Sequence, residues 1–289
     1  MSQLSATERT LLPSLAVVAS LFSVNVGAAF AKDIFPQVGI EGVTALRVGI
    51  SAVVLLALWR PWDVRLARRD LVSLLIYGAT LGLMNLSIYH AFARIPLGIA
   101  LAIEVVGPLA VVLLTSRRLQ DFVWTALAIV GLYLLLVPEE GVPPLDPWGI
   151  MFAASAGACW AFYIVFGKRV SSAMAGGKAV ALGMVIAAVI TVPLGAATSG
   201  AAMLQGRVLL IGLLVALLSS AVPYTLEMQA LRRLSSRVFG ILVSSAPAIA
   251  ALAGFLVLGE KLAIAQWVAI SIVILASAGA TATAAKRAA

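Results

Sequence analysis

Long apolar runs, each closed by a short polar or prolyl break, recur along the whole chain. Ten are legible, over 11–31, 42–59, 71–92, 96–116, 121–137, 148–167, 178–198, 207–231, 237–258 and 263–285. A helix rising 1.5 Å per residue needs roughly 20 apolar residues to cross about 30 Å of hydrocarbon, and these runs approach or exceed that length. Membrane barrel strands would instead alternate over about ten residues, so the pattern predicts helices throughout. The breaks are short and carry Pro or charge: Arg60-Pro61-Trp62, Arg94-Ile95-Pro96, Pro143-Pro144 and Gly259-Glu260-Lys261. No separate soluble domain fits between them. The expectation is an all-α polytopic membrane protein with ten transmembrane helices.

The first run invites a second reading, because Ala29-Phe30-Ala31 matches a signal-peptidase site. Its apolar core exceeds the usual 7–15 residues, however, and only Arg9 precedes it, so a retained span is expected.

Composition agrees with a lipid environment. The 289 residues are 62% hydrophobic and 11% charged, against about 25% charged in soluble domains. The net charge of +8 would suit nucleic acid if it were clustered, but it is spread over short loops. Of the 20 Lys and Arg, 15 fall in segments on the side of the N-terminus and 4 on the other, with Arg47 inside a span. The positive-inside rule therefore predicts both termini in the cytoplasm and accounts for the charge without a nucleic-acid partner.

The single Cys159 excludes an internal disulfide, and with only one histidine, His90, neither a Cys-rich nor a His-based metal site is expected. No H-E-x-x-H, G-x-S-x-G or phosphate-cradling loop is present. These absences predict no cofactor, no metal and no enzyme, and they leave ion gradients, exchange or a solute's own gradient as driving forces.

The halves resemble each other. Arg94-Ile95-Pro96 through Gly107-Pro108-Leu109-Ala110 aligns with Arg233-Leu234-Ser235 through Ala246-Pro247-Ala248-Ile249 at an offset of 139. Trp124 then matches Trp267 at an offset of 143, after a four-residue insertion near Gly259-Glu260. Five spans per half force the second half to enter the membrane inverted, which predicts two repeats, 1–140 and 141–289. Inverted repeats place a solute site near the midplane. Pro108 and Pro247 fall inside predicted helices, as kinks that shape packing or as broken helices that line a cavity.

Ionisable groups within spans cost at least ~2.5 kcal/mol each on insertion scales and rarely sit there idle. Arg47, Glu104 and Glu227 stand out. Arg47 and Glu104 differ in predicted depth by only ~5 Å. Either they pair to lock helices, or they face a water-filled cavity, Glu104 taking an ammonium or proton and Arg47 a carboxylate. Glu227, following Pro223-Tyr224-Thr225, reads as a cavity-mouth residue. Asn85 and Tyr89 share a helix face, and Asn25 and Tyr163 are further cavity candidates. His90 points elsewhere, toward the outer interface, where it is either simply solvated or linked to a proton. Gly78-x-x-x-Gly82 permits close helix packing, and Trp59, Trp62 and Trp148 read as interfacial anchors.

Several segments together resemble the drug/metabolite transporter superfamily, EamA type. They include Gly42-Val43-Thr44-Ala45-Leu46-Arg47, Pro96-Leu97-Gly98-Ile99-Ala100, Glu104, Gly107-Pro108-Leu109-Ala110, Asp121-Phe122-Val123-Trp124, Pro223-Tyr224, Leu226-Glu227-Met228 and Leu258-Gly259-Glu260. The resemblance covers nearly the whole chain and implies a ten-helix, basket-shaped inner-membrane protein. It further implies export of small polar amino acids of the threonine and homoserine type, by proton antiport. One departure stands out: the pattern's second half usually has Glu-Pro where this chain has Ala246-Pro247. Two alternatives remain open, an exporter of other metabolites or drugs and a non-transporting membrane scaffold.

Overall fold

The computed structural model describes residues 6–64, 66–114, 119–136, 144–174, 176–223, 226 and 242–285. Among these every regular element is helical: α1 (Ala6–Asp33), α2 (Phe35–Trp59), α3 (Arg68–Phe92), α4 (Leu97–Glu104), α5 (Val106–Leu114), α6 (Leu119–Leu136), α7 (Pro147–Ala173), α8 (Gly176–Ser199), α9 (Gly206–Ala216), α10 (Ala246–Leu258) and α11 (Ile264–Ala285). Short 3₁₀ turns cover Pro61–Asp63 and Gly200–Leu204, and a π turn covers Leu217–Ala221.

By length and composition, five helices can cross a membrane: Leu12–Asp33, Phe35–Trp59, Arg68–Phe92, Pro147–Ala173 and Gly177–Leu204. Five shorter apolar helices lie at Leu97–Val111, Phe122–Leu136, Gly206–Ser220, Ala246–Leu258 and Ile264–Ala280. Large apolar side chains such as Val53, Phe122, Ile129, Val189 and Ile264 are mostly exposed, a surface that water would not tolerate and lipid requires.

The chain forms two compact units, each drawn from both halves of the sequence. The first comprises residues 1–29, 96–145 and 218–289, and the second 30–95 and 146–217. In the first unit α4 lies against α10, where Gly98 meets the backbone of Ala251 so closely that a side chain would have no room. Helix α11 lies against α6, with Trp124 and Leu127 around Leu109, Ala128, Ala276 and Ala280. Val17 and Leu21 of α1 pack with Ala246, Leu101 and Ile249. In the second unit α3 packs on α7 and α8, and α2 on α8 and α9. There Gly78 and Gly82 face Ile186 and Ala187 of α8, the close approach that the Gly-x-x-x-Gly spacing predicts. Lipid supplies no hydrophobic drive between helices, so contact of this kind, through small residues, holds such a unit together.

Several helix ends and breaks differ from expectation. The run 96–116 is two helices, α4 and α5, separated at Val105, whose ψ is −14°. Pro108 has no N–H to bond the Glu104 carbonyl four residues back, and the helix breaks there. Pro247 does not interrupt a helix interior. It stands in the first turn of α10, after a turn at Ser245 with ψ −3°, where a missing N–H costs nothing. The two breaks nevertheless fall at corresponding places in the two halves. Helix α2 starts seven residues earlier than expected and contains a non-helical residue, Gly39, at φ 66° and ψ 174°. Only glycine adopts that conformation readily. The interrupted Val38 carbonyl accepts a hydrogen bond from Ser199 Oγ of α8 at 2.5 Å.

Candidate functional site

The residues singled out by the sequence divide between the units. Arg47, Asn85, Tyr89 and Tyr163 belong to the second unit, and Asn25, Glu104, Pro108 and Pro247 to the first. Tyr224 and Glu227 lie outside the described residues.

In the second unit α2 and α3 bring Arg47 and Tyr89 together. The Arg47 guanidinium lies over the Tyr89 ring, 5.1 Å from its centroid, within range of cation–π attraction. Phe35 and Phe92 stand tilted against the same ring, each at 5.8 Å. Tyr89 is completely buried, yet its hydroxyl has no hydrogen-bond partner among the described residues. Leaving a buried polar group unsatisfied costs about 1–3 kcal/mol. Among the described residues Arg47 makes no ion pair either. A cation and a phenol O–H thus stand side by side, both able to donate and neither engaged by a carboxylate among the described residues.

The neighbouring Asn85 is buried, and its amide Nδ2 donates to the Leu81 carbonyl of its own helix at 2.8 Å. That back-bond fixes the side chain and uses one of its donors. Asn25 does the same in α1, donating to Leu21 at 2.8 Å. Tyr163 stacks on Tyr77 at 4.8 Å, with a hydroxyl contact of 3.3 Å, inside a cluster with Leu74, Val170 and Ala179.

In the first unit Glu104 closes α4 and is only 5% exposed. Helix α4 is held from outside its own sequence, because the Leu97 N–H donates to Glu260 Oε2 at 3.0 Å. Glu260 follows Gly259, the left-handed cap of α10 at φ 69°. A carboxylate at the start of α4 also complements the helix dipole. Reasoning from sequence missed this role, although Leu258-Gly259-Glu260 carried part of the family resemblance. It also missed Glu41, which stands one residue before the predicted second span. The His90 Nε2 lies 3.3 Å from Glu41 Oε1, and the imidazole stacks on Phe152 at 4.7 Å. His90 is therefore engaged by α2 and α7 and is not simply solvated.

Similarity to known proteins bears on what this arrangement serves. Over 272 residues the chain is 46% identical to the threonine/homoserine exporter RhtA of Escherichia coli (strain K12), covering 94% of this chain and 92% of that protein. The threonine/homoserine exporter RhtA of Salmonella typhimurium (strain SL1344) matches with the same identity and coverage. The model of the EamA-like transporter family matches residues 147–282. The chain belongs to this family. It is thus a multi-pass membrane transporter and not an enzyme, as the resemblance of its motifs implied. A solved crystal structure with 19% identity, covering 99% of this chain and 100% of its own, superposes with a TM-score of 0.63, a likeness of fold.

Proposed function

We propose that this EamA-family transporter exports small polar amino acids of the threonine and homoserine type across the bacterial inner membrane, by alternating access and in exchange for protons. The observation that carries the reading is the buried Tyr89 hydroxyl, unpartnered among the described residues and set beside Arg47. The high identity to exporters named for threonine and homoserine supports the substrate class. In this reading the amino-acid carboxylate accepts hydrogen bonds from Arg47 and from Tyr89, which are stronger than neutral ones because an ion takes part. Glu104 takes the ammonium group in one half of the cycle and a proton in the other. A single carboxylate cannot hold both at once, and that exclusion is the physical basis of antiport. Ten spans in two inverted repeats, 1–140 and 141–289, with both termini cytoplasmic, complete the proposal. The asymmetric Lys and Arg count and the paired breaks before Pro108 and Pro247 support it. Tyr224 and Glu227 would stand at a cavity mouth, and Asn25, Asn85 and Tyr163 would line the route.

A second reading, a broader metabolite or drug exporter, draws on one observation. Ala246 stands where the family pattern usually has Glu, and it packs against Val17 and Leu21. Proteoliposome counterflow of labelled threonine, with and without a pH gradient, separates the two. Amino-acid antiport predicts exchange that homoserine competes with and a pH gradient drives. Flux indifferent to homoserine favours the broader exporter, and no threonine flux contradicts the main proposal. Glu104→Gln should abolish proton-driven export while leaving the protein in the membrane, and full activity in that variant would remove Glu104 from the mechanism.

A further inference from the structure

His90 lies in a charged cluster that joins three helices of the second unit. Its Nε2 faces Glu41 Oε1 of α2 at 3.3 Å. Its Nδ1 lies 3.3 Å from Nη1 of Arg94, and the same Nη1 donates to the His90 carbonyl at 2.8 Å. Arg94 Nε in turn lies 3.7 Å from Asp146 Oδ2, and its guanidinium stands 5.1 Å over Phe152 of α7. Asp146 caps α7 by accepting from the Trp148 N–H at 2.9 Å. The charged groups around the imidazole are thus Glu41 from α2, Arg94 from the turn after α3 and Asp146 from the start of α7.

A guanidinium has N–H donors and no acceptor. The Nδ1 atom facing Arg94 must therefore present its lone pair, which puts the neutral ring's one proton on Nε2, directed at Glu41. A second proton can go only to Nδ1, where it would set donor against donor and cation against cation. We infer that His90 is a proton-binding site whose occupancy decides whether Arg94 bonds the imidazole. Neutral His90 holds Arg94 at the end of α3. Protonated His90 keeps Glu41 and loses the Arg94 contact at Nδ1, leaving Arg94 to the Asp146 contact it already makes and changing the link between α3 and α7. Glu104 is not among its groups. It deepens the exporter reading, on which only its transport consequence rests, by making export responsive to pH.

The chain has one histidine, so the intact protein labelled with ¹⁵N-histidine in nanodiscs gives one imidazole spectrum. The expected alkaline form carries its proton on Nε2 with Nδ1 bare. Relative to wild type, Glu41→Gln should take up the second proton about one pH unit lower and Arg94→Met about one unit higher, the scale of a neighbouring charge. An Nδ1–H tautomer at alkaline pH, or a midpoint indifferent to both substitutions, overturns the inference. The wild-type tautomer decides even if a variant fails to fold, and none of these readings depends on transport. In liposomes the step in threonine efflux against pH should follow the same midpoint and vanish in His90→Gln. A step that persists in that variant contradicts the link to transport.

Discussion

Tyr77 and Tyr89 stand on the same helix, α3, and both are buried, yet they are built for different ends. Tyr77 stacks on Tyr163, reaches its hydroxyl at 3.3 Å and fills the space left by Gly167 and Gly183. Tyr89 is more deeply buried, carries a guanidinium on its face and has a hydroxyl unpartnered among the described residues. The first arrangement has the form of packing. The second retains a buried donor and a charge that packing alone would eliminate, since each raises the cost of the fold. On the proposed reading, stability is given up there for binding.

The largest effect expected along this contrast comes from Arg47→Gln. It should weaken apparent threonine affinity about 100-fold, the scale of deleting one member of a hydrogen-bonded charge pair, as read from counterflow at graded substrate. Next is Tyr89→Phe, which should raise the half-saturating concentration about tenfold through loss of a bond to a charged group. Because the deleted hydroxyl has no partner within the described protein, the thermal midpoint in detergent should stay level or rise. Tyr77→Phe should show the reverse: unchanged affinity and a stability loss of about 1 kcal/mol for the hydroxyl contact. A loss of affinity in Tyr77→Phe with none in Tyr89→Phe would invert the assignment.

How far the sequence foretold this depends on the kind of interaction. Apolar runs reveal helices because lipid demands unbroken backbone pairing, and Pro108 marked a true break because a missing N–H is visible in a single letter. The break at Gly39 was hidden, since a glycine two residues before Glu41 reads equally well as the end of a loop. Arg47 and Tyr89 were each legible as costly or polar residues in spans. Their meeting was not, because it depends on how α2 and α3 are rotated against each other. Glu260 was less accessible still, capping α4 from 163 residues away. The partners of His90 on α2 and α7 were missed for the same reason.

The smallest effect concerns a charged link elsewhere in the second unit. Lys178 donates to Asp63 at 2.5 Å and holds that carboxyl below the usual carboxylate range. A carboxylate so lowered stabilises the fold above its unfolded pKa of about 3.9, and the contribution is lost as pH falls through its folded value. Asp63 is exposed, and solvent screening keeps the gain slight. Wild type and Asp63→Asn should differ little in thermal midpoint at neutral pH, and the difference should vanish in acid. A gap that widens on acidification would contradict the pairing.

The central claim, that Arg47 and Tyr89 receive the carboxylate of an amino acid, is tested most directly by a substrate lacking that group. In proteoliposomes exchanging labelled threonine, unlabelled threonine should compete, whereas its amino alcohol, with CH₂OH in place of the carboxylate, should fail to. Arg47→Gln should largely erase the preference between the two. Equal competition by both compounds in the wild-type protein would show that the carboxylate is not what this site binds.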